Sequence, residues 1–329
     1  MVLLGARYFS AFDMTTFAFV FPGQGSQSVG MLDAWGDHPV VRDTLAEASA
    51  ALGQDLAQLI HAGPKEDLAL TTNTQPVMLV AAVAAYRVWR DAGGAAPALV
   101  AGHSLGEYSA LVASGVLSLA QAVPLVRLRA QAMQEAVPVG TGAMAAVLGL
   151  PSDKVNAVCQ EAQDSFGAGS AEVVQAANFN DPGQTVISGS KAAVDKACEM
   201  LKAAGAKRTL LLPVSAPFHC ALMKPAAERL RLALASVDFH PPSIPLVNNI
   251  DVASPSSADD IRDALYRQAF GPVRWVEVIR AMQQRGVTHV VECGPGKVLA
   301  GMTPRIEASL QAAPLYDPAT LAQVQALLS

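Results

Sequence analysis

Ser104 lies at the centre of Gly102-His103-Ser104-Leu105-Gly106, a G-x-S-x-G pattern. Where that pattern falls between a strand and a helix, the chain turns sharply and exposes the serine hydroxyl for attack on an acyl group. Residues 98–101 read as such a strand and 105–114 as such a helix. The glycines permit the tight turn, and the helix N-terminus lends positive potential beside the hydroxyl. A serine at its own pKa is a poor nucleophile and needs a base within hydrogen-bond reach. Six histidines are candidates. His103 points away if Ser104 points up, His289 lies in a strand-like run, and packing or solvent accounts for His38 and His61 in polar N-terminal segments. His240 precedes Pro241-Pro242 and reads as surface loop. His219, in Pro217-Phe218-His219-Cys220, follows a strand end and precedes a helix. Strand ends are where α/β sites gather, so His219 ranks modestly above a structural histidine.

The elements that must position these residues alternate. Residues 17–21 form an apolar run ended by Pro22-Gly23, a buried strand entering a Gly-rich loop, and 98–101 repeat the pattern before Gly102. Helical periodicity runs over 39–52 and 75–92, with Gly93-Gly94 as a stop. Strand alternating with helix implies a parallel α/β sheet. After Gly140 the order changes to strand 143–150, helix 152–162, strands 172–177 and 185–188, helix 191–204 and strand 208–214, with Asn180-Asp181-Pro182-Gly183 turning between the middle strands. This β-α-β-β-α-β order is ferredoxin-like and reads as a small inserted domain. Strands at 244–248 and 287–292, with helices at 224–237, 258–270 and 275–285, then resume the main sheet.

Composition narrows the function classes. The 329 residues are 51% hydrophobic and 16% charged, enough apolar material for a large core and no signature of disorder. Apolar runs such as 77–85 are broken by Tyr86, Arg87 and Arg90 well before the roughly 18 residues a membrane span requires. A formal charge of −5 with scattered Lys and Arg gives no nucleic-acid footprint. Four cysteines, with no C-x-x-C pair, suit reduced thiols in the cytoplasm and argue against a structural zinc site. Residues 1–13 do not read as a secretory signal.

Several motifs occur together and in order: Phe21-Pro22-Gly23-Gln24-Gly25-Ser26-Gln27, Gly102 through Tyr108 (GHSLGEY), Arg129 ahead of 131–137, and Gly294-Pro295-Gly296-Lys297. From about Met14 to beyond Gly301 the chain resembles the malonyl-CoA:acyl carrier protein transacylases of bacterial type II fatty-acid synthesis. The resemblance implies an α/β-hydrolase-like large subdomain with a parallel sheet over 14–140 and 215–329, and a ferredoxin-like subdomain over 141–214. Residues 1–13 would then be a disordered extension or a misassigned start.

Carried over by the resemblance, Ser104 is the nucleophile, His219 the general base, and the backbone amides of Gln24 and Leu105 the oxyanion hole. The Gln268 backbone carbonyl orients the histidine, making a Ser-His dyad without a carboxylate. Arg129, otherwise an ordinary helix-surface arginine, would hold the distal carboxylate of malonate bidentately, a geometry lysine cannot reproduce. Acetyl groups would leave that charge unpaired and should react poorly. Phe218, otherwise core, matches the malonyl-type pattern, in which a methyl clash is worth about 1 to 3 kcal/mol and rejects methylmalonyl incompletely. Gln75, Asn178 and Asn180 match positions lining the family's site, although capping and turn chemistry explain them nearly as well. Lys207 and Arg208 would meet coenzyme A phosphates or an acidic carrier protein, although most such pairs are solvated surface.

The implied reaction is ping-pong transfer of malonyl from malonyl-CoA to holo acyl carrier protein, with no metal or other cofactor, no nucleic acid or membrane partner, and a monomer in the cytoplasm. Gly294-Pro295-Gly296-Lys297 lacks the first glycine and the Ser or Thr of a phosphate loop, so it reads as a turn. Two alternatives stand. A serine hydrolase normally carries an acid between Ser and His, where Asp181 and Asp195 fall, but both sit in the inserted stretch. A binding module with a decayed site would not be expected to retain Ser104, His219, Arg129 and Gln268 together.

Overall fold

The computed structural model describes residues 15–329, so the expectation for residues 1–13 lies outside the described residues. Along the chain the strands are β1 (Phe17–Phe21), β2 (Leu99–Gly102), β3 (Gly142–Leu148), β4 (Val174–Asp181), β5 (Gln184–Ser190), β6 (Arg208–Leu211), β7 (Leu246–Val247), β8 (His289–Cys293) and β9 (Gln311–Leu315). They form two sheets. One is five-stranded in the order β7-β2-β1-β8-β9, with parallel pairings throughout.

In β1, Phe17, Phe19 and Phe21 enter one apolar layer, packing edge-on against Trp89 and Tyr86 of the helix Thr71–Asp91. Ala18 and Val20 point the other way, into a layer with Trp275, Ile279 and Val290. A strand apolar on both faces is what a parallel sheet covered by helices on both sides requires. The helix Thr71–Asp91 is buried at every position from Thr74 to Ala85. It begins four residues before the expected start at Gln75, and Thr74, already within it, turns its hydroxyl onto the Leu68 and Leu70 carbonyls just ahead of the helix.

The second sheet has the antiparallel order β4-β5-β3-β6 and carries the helices Ser152–Asp164 and Lys191–Ala203, giving β-α-β-β-α-β. β4 runs four residues past the expected end at Ala177: Asn180 and Asp181 stay in the strand, and Asp181 pairs with Gln184 across Pro182-Gly183. Hydrogen bonds hold this end of β4. Phe179 donates to Val273 and Val273 donates to Ala177, stitching the second sheet to the loop after the helix Ala258–Gln268. β9 has no counterpart in the sequence reading, since Gln-Ala-Ala-Pro-Leu has little strand character; at the sheet edge its proline is tolerated. Among the described residues no helix is long and apolar enough to cross a membrane.

Candidate active site

Ser104 sits at the turn between β2 and the helix Gly106–Ala113 with φ 53°, in the left-handed region that few non-glycine residues adopt. Both flanking glycines are sterically required. A Cβ on Gly102 would lie 1.9 Å from the Gly106 carbonyl carbon, and one on Gly106 would lie 2.0 Å from the Phe21 carbonyl oxygen. The turn is also held from the side: the Ser104 N–H donates to Asn249 Oδ1 (2.8 Å), and Asn249 Nδ2 donates to the Gly102 carbonyl (2.7 Å).

His219 Nε2 lies 2.6 Å from Ser104 Oγ. Its Nδ1 faces two carbonyls, Gln268 at 2.9 Å and Gly271 at 3.2 Å. Carbonyls only accept, so Nδ1 carries the proton and Nε2 is left as acceptor for the serine hydroxyl. Burial pushes the His219 pKa down to about 3, with the nearby Arg129 charge adding to the effect. The imidazole is therefore neutral, the form a base requires.

Arg129, on the helix Leu119–Glu135, is 2% exposed. Its guanidinium donates to Gln75 Oε1 (2.8 Å), Ser104 Oγ (3.2 Å) and Gln268 Oε1 (3.2 Å), all neutral groups, and lies over the Tyr108 ring. Its Nε is buried without a partner among the described residues. An arginine so placed has charge and donors to spare, directed at the reactive hydroxyl. Gln75 in turn donates to Gln24 Oε1 (3.2 Å), and Gln24 Nε2 donates to Thr71 Oγ1 (3.3 Å). The main-chain N–H groups of Gln24 and Leu105 have no acceptor among the described residues.

These groups border a cavity of about 460 Å³ between the two sheets. Gln24, Ser104 and Arg129 line it from the five-stranded side, Asn178 and Asn180 from β4, and Phe218 and His219 from the segment after β6. The Asn178 side-chain oxygen is buried without a partner among the described residues. A larger cleft of about 700 Å³ reaches His219 from behind, along the helices Ser152–Asp164 and Trp275–Gln284, but neither Ser104 nor Arg129 lines it. The chemistry belongs to the smaller cavity.

One expectation needs correction. His103 does not leave the site: its ring lines the cavity beside Trp275, and its Nε2 lies 2.9 Å from Asn180 Oδ1. The extension of β4 through Asn180 creates that partner. Lys207 and Arg208 are not brought into the cavity. Both are exposed where β6 begins, and only past the end of that strand, at Leu212 and Val214, does the chain line the pocket.

The structure also adds two residues that sequence reasoning passes over, Glu107 and Asn249. Glu107 is buried, and burial raises its pKa to about 7. It looks like an ordinary first-turn acid at a helix N-terminus, and Asn248-Asn249 like a turn after a strand, so neither position stands out without the fold.

Among known proteins, residues 18–313 match the model of the acyl transferase domain. The malonyl CoA-acyl carrier protein transacylase of Escherichia coli strain K12 is 55% identical over 310 residues, covering 94% of this chain and 98% of that protein. The crystal structure of the acyl-carrier-protein S-malonyltransferase from Burkholderia pseudomallei 1710b superposes with a TM-score of 0.91 at 61% identity, covering 94% of this chain and 99% of that one. A malonyl-transacylase in complex with its type II PKS acyl-carrier protein matches with a TM-score of 0.91 at 51% identity, covering 94% and 98%.

Proposed function

The chain belongs to the acyl transferase domain family, and from that premise we propose that it transfers malonyl from malonyl-CoA to the phosphopantetheine thiol of acyl carrier protein. It thereby supplies the extender unit for fatty-acid synthesis through a malonyl ester on Ser104. The observation that carries this reading is the meeting of three groups at one atom. Ser104 Oγ has a neutral imidazole nitrogen at 2.6 Å and a charged guanidinium nitrogen at 3.2 Å. The first makes a nucleophile; the second binds a carboxylate beside it.

In the proposed cycle His219 Nε2 takes the hydroxyl proton as Oγ bonds to the thioester carbonyl carbon. The carbonyl electron pair moves onto oxygen, where the unpartnered N–H groups of Gln24 and Leu105 receive it. Collapse restores the carbonyl, breaks the carbon–sulfur bond and releases coenzyme A with the proton from His219. The carrier thiol then surrenders its proton to His219 and attacks the ester, and Ser104 leaves and is reprotonated. The Gln268 carbonyl keeps the imidazole oriented, Phe218 borders the acyl group, and Gln75, Asn178 and Asn180 complete the wall. An acidic carrier protein and the coenzyme A phosphates would meet basic groups outside this cavity, Lys207 and Arg208 among them. The proposed substrates are cytosolic, so the reading places the chain, as a monomer, in the cytoplasm.

The experiment that tests the reading is intact-mass analysis after brief exposure to malonyl-CoA. One malonyl ester should form, and holo carrier protein should remove it and gain its mass. Loss of the ester without gain on the carrier protein would turn the reading to a hydrolase.

A pH prediction follows from the depressed His219 pKa. Only the neutral imidazole is active, and protonation begins far below the ordinary histidine value of about 6.5. For acylation by malonyl-CoA, kcat/KM, which reports the free enzyme, should therefore show no loss from base protonation between about pH 7 and pH 5. An acid limb centred near 6.5 in single-turnover kinetics would contradict it.

A further inference from the structure

Glu107 is the point at which the supports of the site converge. Its Oε2 accepts two hydrogen bonds of 2.9 Å, one from the Asn249 main-chain N–H and one from Gln268 Nε2. The Asn249 side chain grips the turn on both sides of Ser104, accepting from the Ser104 N–H and donating to the Gly102 carbonyl. The Gln268 amide has a direction: Nε2 donates to Glu107 and to the Ser104 carbonyl (3.1 Å), so Oε1 is left facing the Arg129 guanidinium. Reversed, the amide would present N–H groups to a cation. Two acceptors oppose reversal, the Ser104 carbonyl and Glu107, and Glu107 holds the shorter bond.

We propose that Glu107 is a positioning residue for acyl selection, fixing the Gln268 amide so that Arg129 is aimed at the acyl carboxylate, and anchoring the Ser104 turn through Asn249. Its carboxyl bonds neither Ser104 Oγ nor any residue that lines the cavity; it acts through two neighbours. Burial raises its pKa to about 7, against the bonds from Gln268 and Asn249 and the charge of Arg129, but Oε2 remains an acceptor while Oε1 carries any proton. Accepting hydrogen bonds is thus the function, and a glutamine carbonyl can supply the same.

The two arms have separable signatures. The Gln268 arm acts on the carboxylate clamp and governs the preference for malonyl over acetyl. The Asn249 arm acts on the nucleophile and governs both acyl donors alike. The inference rests on the malonyl-transfer reading, and a wild-type chain that formed no malonyl ester would end that reading before any variant was compared.

The test is single-turnover acylation by malonyl-CoA and acetyl-CoA in Glu107→Leu, which fills the volume without an acceptor, and in Glu107→Gln, which keeps one. Misaiming a positioned group by about 1 Å can lower rates roughly 10²-fold, so Leu should reduce the malonyl-to-acetyl ratio by about 10- to 100-fold. Gln should hold the ratio within about threefold, since its carbonyl can accept both bonds. A folded Leu variant with the wild-type ratio, or a Gln variant that loses the ratio with it, would overturn the proposal. Should Glu107→Leu fail to fold, Glu107→Gln decides alone: a malonyl-to-acetyl ratio within about threefold of wild type supports the proposal, and a larger loss overturns it.

Discussion

Ser104→Ala is expected to form no malonyl ester and to lose turnover by a factor on the order of 10⁶, the scale on which removing the nucleophile of an acyl-transferring serine enzyme acts. The loss is this large because no other group can take over. His219 and Arg129 both converge on Ser104 Oγ, and the thiol next to His219 in the chain, Cys220, donates instead to the Pro217 carbonyl (3.2 Å). Burial holds the Cys220 pKa above its ordinary value, so it offers little thiolate. The fold should survive, because the Asn249 bonds that hold the turn go to the backbone of Ser104 and Gly102. Mass analysis with malonyl-CoA decides the matter: an adduct persisting in a folded Ser104→Ala enzyme would place the nucleophile elsewhere.

Arg129→Ala should reverse the preference between acyl donors. Among the described residues the buried guanidinium is bonded only to Gln75, Ser104 and Gln268, and its Nε lacks a partner. A malonyl carboxylate supplies the missing negative charge; an acetyl methyl leaves it missing. Removing one partner of a buried charge pair costs about 3 to 5 kcal/mol, which corresponds to a loss in kcat/KM for malonyl-CoA between roughly 10² and several 10³. Acetyl-CoA, which gains nothing from Arg129, should react as well as before or better. Arg129→Lys should recover only part of the malonyl rate, since an ammonium cannot present two parallel N–H donors. Measured kcat/KM values for both donors check this, and a malonyl preference intact in Arg129→Ala would remove Arg129 from substrate recognition.

Parts of this site are legible in the sequence because their causes are local. Gly102 and Gly106 are forced by contacts under 2.1 Å, so the turn around Ser104 announces itself. The alternation in β1 is equally local, because both of its faces are covered by helices. His219 is different. It reaches Ser104 across 115 residues, and nothing in periodicity ranks it far above the other histidines; only several motifs taken together single it out. Glu107 and Asn249 are harder still, since their meaning lies in a hydrogen bond across 142 residues between two unremarkable types. The length of β4 was set by Val273, a residue of the other sheet's surroundings, which propensity cannot see. Lys207 and Arg208 are legible only as a local charge pair; the sequence does not show that they lie on an exposed strand start outside the cavity.

The carbonyl oxygens that face His219 Nδ1, in place of a carboxylate, also bear on which nucleophile ends the cycle. A carbonyl offers a dipole where a carboxylate offers a full charge, so the imidazolium formed during proton abstraction is less stabilised. That weakness falls unequally on competing attackers. A thiol, with a pKa of about 8.5, gives up its proton readily and needs only a mild base. Water, with a pKa of 15.7, needs a strong one. A histidine held by neutral acceptors thus penalises water more than sulfur, and the geometry behind Nδ1 helps an acyl-serine wait for its thiol.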